Sequence, residues 1–217
     1  LAPALFGATE LPSIFGDHMV LQRDKPIPVW GWSEKGLKVK VTLGGKSATA
    51  TAGKDGRWEV RLPAMKASGE GRELIVEGSE KIVFKDVLVG EVWVCSGQSN
   101  MEWSVNGALN PNEEKQAADY PKIRHIKVPK IPSDSHERNF NARWQVCSPS
   151  TAGGFTAVGY YFARALLEKL KVPVGLVNSS WGGTRIEPWM PLQGYRMIGK
   201  QGFARDTIKR IEAVDPS

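Results

Sequence analysis

The sequence predicts an α/β protein in which an antiparallel β-sandwich comes first and a parallel sheet with helices follows. Two differences in hydrophobic periodicity support this prediction. Up to about residue 85, apolar and polar side chains alternate in short runs, and segments of helical period are absent. From residue 86 onward, nearly continuous apolar runs are separated by segments with a helical repeat. We therefore expect a β-sandwich domain over 1–85 and an α/β domain over 86–217.

The first region contains five short runs that we predict to be strands. In chain order they are 37–43 (LKVKVTL), 47–52 (SATATA), 57–62 (RWEVRL), 74–77 (LIVE) and 81–84 (KIVF). Gly44 and Gly45 supply a turn after the first run, and Asp55-Gly56 has the composition of a hairpin turn. Short strands at this regular spacing are typical of an antiparallel sandwich.

Strands and helices alternate in the second region. Residues 87–95 (VLVGEVWVC) are almost continuously apolar, which predicts a strand buried on both faces of a parallel sheet. Residues 155–170 predict an amphipathic helix, 174–177 (VGLV) a second buried strand and 203–214 a further helix. The apolar face expected for the first of these helices consists of Val158, Phe162, Leu166 and Leu170. This order indicates a βαβ unit with a right-handed crossover.

Composition excludes several classes of protein. The 217 residues carry a net charge of +6 with no run of five like charges, which does not support nucleic-acid binding. No stretch approaches the roughly 20 apolar residues that a membrane-spanning helix needs. The two cysteines, Cys95 and Cys147, have no metal-ligand spacing, and we expect Cys95 to be a buried thiol. Whether the two cysteines pair with each other stays open.

Two glycine-containing turns follow the predicted parallel strands. Since ligands bind beyond the carboxyl ends of such strands, residues 96–101 (SGQSNM) and 178–184 (NSSWGGT) form a candidate site. Ser99 lies in the first turn, where a sharp change of direction presents a serine Oγ as a nucleophile. Met101 stands where the G-x-S-x-G pattern has its second glycine. By spacing alone, a purely structural serine is the commoner interpretation.

The second turn contains the pair Gly182-Gly183. Thr184 followed by Glu187 has the pattern of a capping box, which predicts that a short helix begins there. The free N–H groups of a helix N-terminus suit an oxyanion, and the paired glycines would let a substrate approach them. An ordinary tight turn is the alternative interpretation.

Three blocks, taken in order, resemble a known family. Residues 97–103 (GQSNMEW) resemble the nucleophile block of the SGNH hydrolases in the form found in the sialate O-acetylesterase family. Residues 179–184 (SSWGGT) are similar to that family's second block. Residues 11–23 (LPSIFGDHMVLQR), with 29–32 (VWGW), resemble the opening of its N-terminal β domain. The resemblance implies that the second domain is part of a flavodoxin-like, three-layer α/β/α hydrolase.

The resemblance also implies an activity and roles for single residues. It implies hydrolysis of acetyl esters on sugars without metal or cofactor, with Ser99 as the nucleophile. The backbone N–H groups of Ser99 and Gly183, with Gly182 as the neighbouring candidate, would stabilise the oxyanion. Weaker candidates for binding substrate or orienting the turns are Gln98, Asn100, Trp103, Trp181 and Arg185.

One departure from the family pattern concerns the catalytic base. The family's Asp-x-His block is missing, and none of the three histidines, His18, His125 and His136, matches its position. We therefore expect the chain to be the N-terminal portion of a longer protein and to be inactive alone. The C-terminal segment of that protein would supply the base. Either proteolytic nicking has made that segment a second chain, or the chain is a truncated fragment that lacks it. Residues 215–217 (DPS) resemble a linker. The family resemblance and the missing initiator Met lead us to expect a secreted or periplasmic protein.

Three alternative functions stay open at this point. The β-rich first region and the missing histidine are also typical of a non-catalytic carbohydrate-binding protein. An acetylesterase acting on plant polysaccharides such as hemicellulose fits the same motifs. A lipase or thioesterase of the same superfamily is disfavoured by the abundance of Trp, of which there are eight.

Overall fold

The computed structural model describes residues 8–133, 135–198 and 202–214, and within these ranges the chain has a mixed α/β fold. The predicted linker at 215–217 lies outside the described residues. The strands are β1 (Val20–Gln22), β2 (Ile27–Trp32), β3 (Lys38–Leu43), β4 (Lys46–Thr51), β5 (Arg57–Leu62), β6 (Ser68–Glu77), β7 (Lys81–Gly97), β8 (Tyr120–Lys127), β9 (Gln145–Cys147) and β10 (Val174–Ser180). The α-helices are α1 (Ser99–Glu102), α2 (Pro111–Gln116), α3 (Ala157–Leu170), α4 (Leu192–Ile198) and α5 (Gly202–Val214). None of the described helices is long and apolar enough to cross a bilayer.

The five strands predicted in the first region all form. β3 and β4 pair antiparallel around Gly44 and Gly45, whose φ angles of 52° and 77° are those of a tight hairpin turn. β2 and β5 form a separate two-stranded antiparallel sheet. Inward-facing side chains such as Val41, Trp58 and Leu74 are buried between the two sheets and form one continuous core.

The expected hairpin at Asp55-Gly56 is wrong. A turn does form there, with φ of 77° at Gly56, but β4 before it pairs with β3 and β5 after it pairs with β2. The turn therefore carries the chain from one sheet to the other. Local composition predicts the turn but not the pairing partners of the flanking strands, which long-range packing decides.

A single long strand, β7, connects the two predicted domains. Residues 81–89 pair antiparallel with β6, and residues 91–97 pair parallel with β10. β8 lies beyond β10 in parallel orientation and β9 follows at the edge, so one sheet runs through both regions. The predicted boundary at 85/86 falls inside β7, next to Asp86, whose φ is 53°. The division into 1–85 and 86–217 stays a prediction.

Helix α3 forms as predicted, but its buried face differs from the prediction. Val158 and Phe162 are 49% and 39% exposed, whereas Tyr160 and Ala163 are buried. A Cβ on Gly159 would lie only 2.9 Å from Cys95 Sγ, which shows how closely the helix approaches β7. Gly159 and Ala163 allow this close packing, and the side chains of Val158 and Phe162 are left on the outer face.

The apolar run 87–95 is not buried along its whole length. Val87 and Val89 are fully buried, but Trp93 is 43% and Val94 is 68% exposed. Within the described residues, β10 is the strand that pairs with residues 91–97; on the opposite edge the Val92 N–H donates to Gln22 Oε1, and residues 93–97 have no partner strand there. Burial on both faces, which the run predicts, is therefore not reached for residues 93 and 94.

Candidate active site

Ser99 lies where β7 ends and the chain turns into α1. Gly97 has φ of 130°, a conformation that L side chains rarely adopt, so a glycine is needed for the strand to turn here. Ser99 is the first residue of the four-residue helix α1, and its side chain is exposed. In the part of the chain that the structure describes, its N–H and Oγ have no hydrogen-bond partner. The predicted nucleophile is thus accessible at the carboxyl edge of the sheet.

β10 brings the second glycine-containing turn next to Ser99. Ser180 is in register with Gly97, and the Trp181 N–H donates to the Gly97 carbonyl at 2.9 Å. A Cβ on Gly182 would lie 3.4 Å from Ser99 Oγ. The two turns that the sequence analysis singled out are therefore adjacent, as parallel pairing of their strands requires.

The two glycines of the second turn differ in the availability of their N–H groups. The Gly182 N–H donates to Glu102 Oε2, so it is already occupied in this structure and is the weaker oxyanion candidate. Gly183 has φ of 77° and is exposed, and its N–H has no acceptor among residues 8–133, 135–198 and 202–214. Gly183 and Ser99 are thus the residues whose backbone N–H groups are free to bind an anion.

The capping box predicted at Thr184 and Glu187 is wrong. The Thr184 hydroxyl donates to the Trp181 carbonyl at 2.7 Å and accepts from Trp189 Nε1 at 2.8 Å. A short 3₁₀ helix begins only at Glu187. Because the threonine closes the preceding turn instead of capping a helix, no helix N-terminus lies at Gly183.

The other predicted site residues line the two turns to different degrees. Gln98 Nε2 donates to the Thr184 carbonyl, which ties the first turn to the second. Asn100 and Arg185 are exposed, and Trp181 is half-buried. Trp103 is 59% exposed beside Gly107, where a Cβ would lie 2.7 Å from its indole nitrogen. Gln98 therefore orients the turns, and Trp103 offers an accessible aromatic surface close in sequence to Ser99.

Glu102 and Lys130 lie at the site as well, although no sequence pattern predicts them there. Glu102 lies three residues after Ser99 in α1; one of its carboxylate oxygens accepts the Gly182 N–H and the other pairs with Lys130 Nζ. Lys130 follows β8 in an irregular segment. Neither contact has a local sequence signal, because the partners are 80 and 28 positions away in the chain.

Two of the three histidines, His18 and His125, are held in environments separate from Ser99. His18 Nδ1 contacts Asp86 Oδ2 at 2.7 Å, and the buried Arg124 donates to the same oxygen at 2.6 Å. This cluster joins the segment before β1 to β7 and β8, so His18 has a structural contact in the described fold. His136 is exposed in the loop after β8.

His125 is buried within the sheet and is unsuited as a base for an exposed serine. Its ring stacks on Phe155 with 4.4 Å between centroids, and neither ring nitrogen has a partner in the described structure. Burial, with a smaller contribution from Lys127, lowers the pKa of His125 to about 3. The imidazole is therefore neutral and serves as an apolar packing element.

We expect His125→Leu to leave the acetyl ester hydrolysis that the family resemblance implies within about twofold of the parent, since the buried ring has no hydrogen-bond partner in the described structure. Removing an unpartnered polar group from the core should leave the free energy of unfolding unchanged or raise it by about 1 kcal/mol. Denaturant unfolding together with acetyl ester hydrolysis by the full-length protein checks both points. A large loss of activity in a variant that unfolds at the parent's midpoint would contradict this assignment.

The two cysteines are free and buried, and both thiols have raised pKa values. Burial raises the pKa of Cys95 to about 11 and that of Cys147 to about 12. Cys95 packs against α3, as expected for a buried thiol. At neutral pH both are protonated and therefore unreactive.

Comparisons with known proteins match most of the chain. The family model described as carbohydrate esterase, sialic acid-specific acetylesterase, matches residues 89–215. The sialate O-acetylesterases of Homo sapiens and Mus musculus are both 34% identical to this chain, over 88% and 86% of it. The chain spans 40% and 38% of the length of these relatives.

A solved structure shows the same fold over most of the chain. The crystal structure of a carbohydrate acetylesterase from Xanthomonas citri is 44% identical, with a TM-score of 0.82 over 86% of this chain and 43% of that protein. The family match begins in β7 and includes both turns of the candidate site. The chain belongs to the carbohydrate esterase family of sialic acid-specific acetylesterases.

Proposed function

We propose that this chain carries the nucleophile and the oxyanion donors of a serine-dependent carbohydrate O-acetylesterase. The observation that carries the proposal is the juxtaposition of an exposed Ser99 with the glycine turn of β10, where the Gly183 N–H is free. Membership of an acetylesterase family supplies the class of reaction. The first test is hydrolysis of p-nitrophenyl acetate by the full-length protein and by its Ser99→Ala variant.

In the proposed reaction, Ser99 Oγ attacks the acetyl carbonyl carbon and its proton passes to a base. The carbonyl oxygen becomes an oxyanion that accepts hydrogen bonds from the backbone N–H groups of Ser99 and Gly183. Collapse of the tetrahedral intermediate breaks the ester C–O bond, and the sugar leaves as an alcohol that takes the proton from the base. Water then hydrolyses the acetyl-serine in the same way and releases acetate.

We propose that the base lies in a part of the protein outside this chain. A serine needs an adjacent base, and among the described histidines His18 is hydrogen-bonded to Asp86 and His125 is buried. The C-terminal segment of the protein, as a second chain or a continuous one, would supply His and Asp and complete a flavodoxin-like three-layer hydrolase domain. The uncovered edge of β7 and the exposed side chains of Val94 and Phe162 support this proposal, because unpaired apolar edges seek a partner.

We expect Val94→Asp to destabilise the full-length protein by more than about 2 kcal/mol, because the added charge would be buried beneath the C-terminal segment. Ile131 provides a matched control, being 70% exposed where Val94 is 68% exposed. Ile131 lies in a loop, and Ile131→Asp should change the free energy of unfolding by no more than about 0.5 kcal/mol. Denaturant unfolding of both variants checks this. Equal free energies of unfolding for Val94→Asp and Ile131→Asp would contradict the proposed covering of β7.

The substrate class is proposed as O-acetylated sugars, and the exposed Trp103 supports it as a surface for a pyranose ring. Rates on acetylated sialic acid and on acetylated hemicellulose distinguish the two substrate groups. Binding of either without release of acetate would instead support a non-catalytic carbohydrate-binding protein. We propose a secreted or periplasmic location, which cell fractionation tests.

A further inference from the structure

Glu102 contacts both halves of the candidate site. It belongs to the same helical turn as Ser99, and its Oε2 accepts the Gly182 N–H across the gap between the two turns. A Cβ on Gly182 would lie 2.8 Å from this oxygen and 3.4 Å from Ser99 Oγ, so the Gly182 backbone fits between the carboxylate and the nucleophile. The contact joins residues 80 positions apart, from β7–α1 and from the end of β10.

We propose that Glu102 is a positioning residue that holds the Gly183 N–H in place for the oxyanion at Ser99. The inference rests on the proposed esterase function. Gly183 follows Gly182 directly and has φ of 77°. Because a glycine has no Cβ, its backbone has a wide range of accessible conformations. Anchoring the Gly182 N–H to the helix of the nucleophile fixes the Trp181–Gly182 peptide plane relative to Ser99, one peptide unit before the one that carries the Gly183 N–H. A displacement of about 1 Å at such a donor costs on the order of 10²-fold in rate.

Lys130 makes this arrangement electrostatically compatible with the reaction. An unneutralised carboxylate beside a developing oxyanion would raise the energy of the transition state. Lys130 Nζ pairs with Glu102 Oε1, the oxygen that does not contact Gly182, so the pair as a whole carries no net charge. The Glu102 side chain in this pair is 22% exposed, so solvent screens the carboxylate only in part.

The replacements at Glu102 separate positioning from general stability. In Glu102→Gln the side-chain carbonyl still accepts the Gly182 N–H, whereas Glu102→Ala removes the acceptor. We expect the alanine variant of the full-length protein to lose about 10²-fold in kcat on p-nitrophenyl acetate, with KM changed less than threefold. The glutamine variant should recover kcat to within about tenfold of the parent.

Lys130→Met tests the neutralising role. It leaves the carboxylate charged beside the oxyanion, so kcat should fall by about tenfold or more at low salt, and the loss should shrink as added salt screens the charge. In the double variant Glu102→Gln with Lys130→Met, the charge is gone and kcat should return to that of Glu102→Gln alone.

Glu114 offers a matched control for the loss of a partly exposed ion pair. The Glu114–Arg164 pair has exposures of 28% and 33%, close to the 22% and 36% of Glu102 and Lys130, but it joins α2 to α3. Glu114→Ala should keep kcat within twofold. Parent-like kcat in Glu102→Ala, or equal losses in Glu102→Ala and Glu102→Gln, would overturn the inference, whereas activity in Ser99→Ala would overturn the proposed function itself.

Discussion

Replacement of Ser99 by alanine is expected to lower kcat/KM for acetyl ester hydrolysis by the full-length protein by roughly 10⁴–10⁶-fold. In the proposed reaction the serine oxygen forms the covalent bond to the acetyl group, and the alanine side chain has no nucleophilic atom to replace it. The N–H donors at Ser99 and Gly183 belong to the backbone and remain in the variant. The residual rate should therefore exceed that of the uncatalysed reaction.

Ser96 provides the control for this replacement. It lies in β7 three residues before Ser99, is also exposed, and has no role in the proposed mechanism. Ser96→Ala should keep kcat/KM within a few-fold of the parent. Mass spectrometry of a rapidly quenched reaction should show an added acetyl group in the parent and none in Ser99→Ala. Full activity in Ser99→Ala would refute a serine nucleophile at this position.

The second large effect concerns stability and the cluster of His18, Asp86 and Arg124. The Arg124 side chain is only 5% exposed, and Asp86 Oδ2 accepts its hydrogen bond at 2.6 Å. Asp86→Asn preserves shape and tolerates the φ of 53°, but it leaves the buried guanidinium without a counter-charge. We expect the free energy of unfolding to fall by about 2–3 kcal/mol. This is less than for a fully buried pair, because Asp86 is 37% exposed and solvent screens its charge.

Asp24 is the matched control for Asp86. It also has positive φ, 57° against 53°, and its side chain is 39% exposed. Its partners Lys66 and Arg23 are 93% and 29% exposed, and Arg23 also pairs with Glu91, so loss of the Asp24 charge leaves no buried cation without a counter-charge. Asp24→Asn should have little effect on the denaturation midpoint. Equal shifts for the two variants would contradict the importance of the buried Arg124.

The same cluster predicts how stability depends on pH. Burial alone would raise the pKa of Asp86, but the hydrogen bonds from Arg124 and His18 outweigh it and hold the pKa below its ordinary value of 3.8. The folded state therefore binds this proton less readily than the unfolded state does. The contribution of Asp86 is fully present above the ordinary pKa and is lost as pH falls through the folded-state pKa. The difference between parent and Asp86→Asn should be smaller at pH 3 than at pH 7.

Much of the candidate site could be predicted from the sequence. The run before Ser99 predicts a strand, the glycine at 97 predicts the sharp turn, and the same reasoning locates Gly182 and Gly183 after β10. Because both strands are parallel, their carboxyl ends meet at one edge and the two turns must be close. The role of Ser99 also required the resemblance of whole blocks, since a serine in a glycine turn is more often structural.

Other features depend on contacts that no local pattern encodes. The apolar spacing in α3 predicts the helix but the wrong buried face, because Gly159 and Ala163 permit close packing that larger residues prevent. The hydroxyl of Thr184 closes a turn where a helix cap was predicted. In each case the contact with a neighbouring element or turn decides the outcome.

The sequence by itself predicted six of the ten described strands, the helices α3 and α5 and the turn that carries Ser99, because periodicity and turn chemistry act over a few residues. Only the tertiary structure decided that β7 continues from one region into the other, that the Glu102 carboxylate accepts the Gly182 N–H, and that His18 contacts Asp86 beside the buried Arg124. These outcomes depend on partners about 70–80 positions away in the chain. Which distant groups meet is set by strand register and close packing, and that information is distributed over the whole chain.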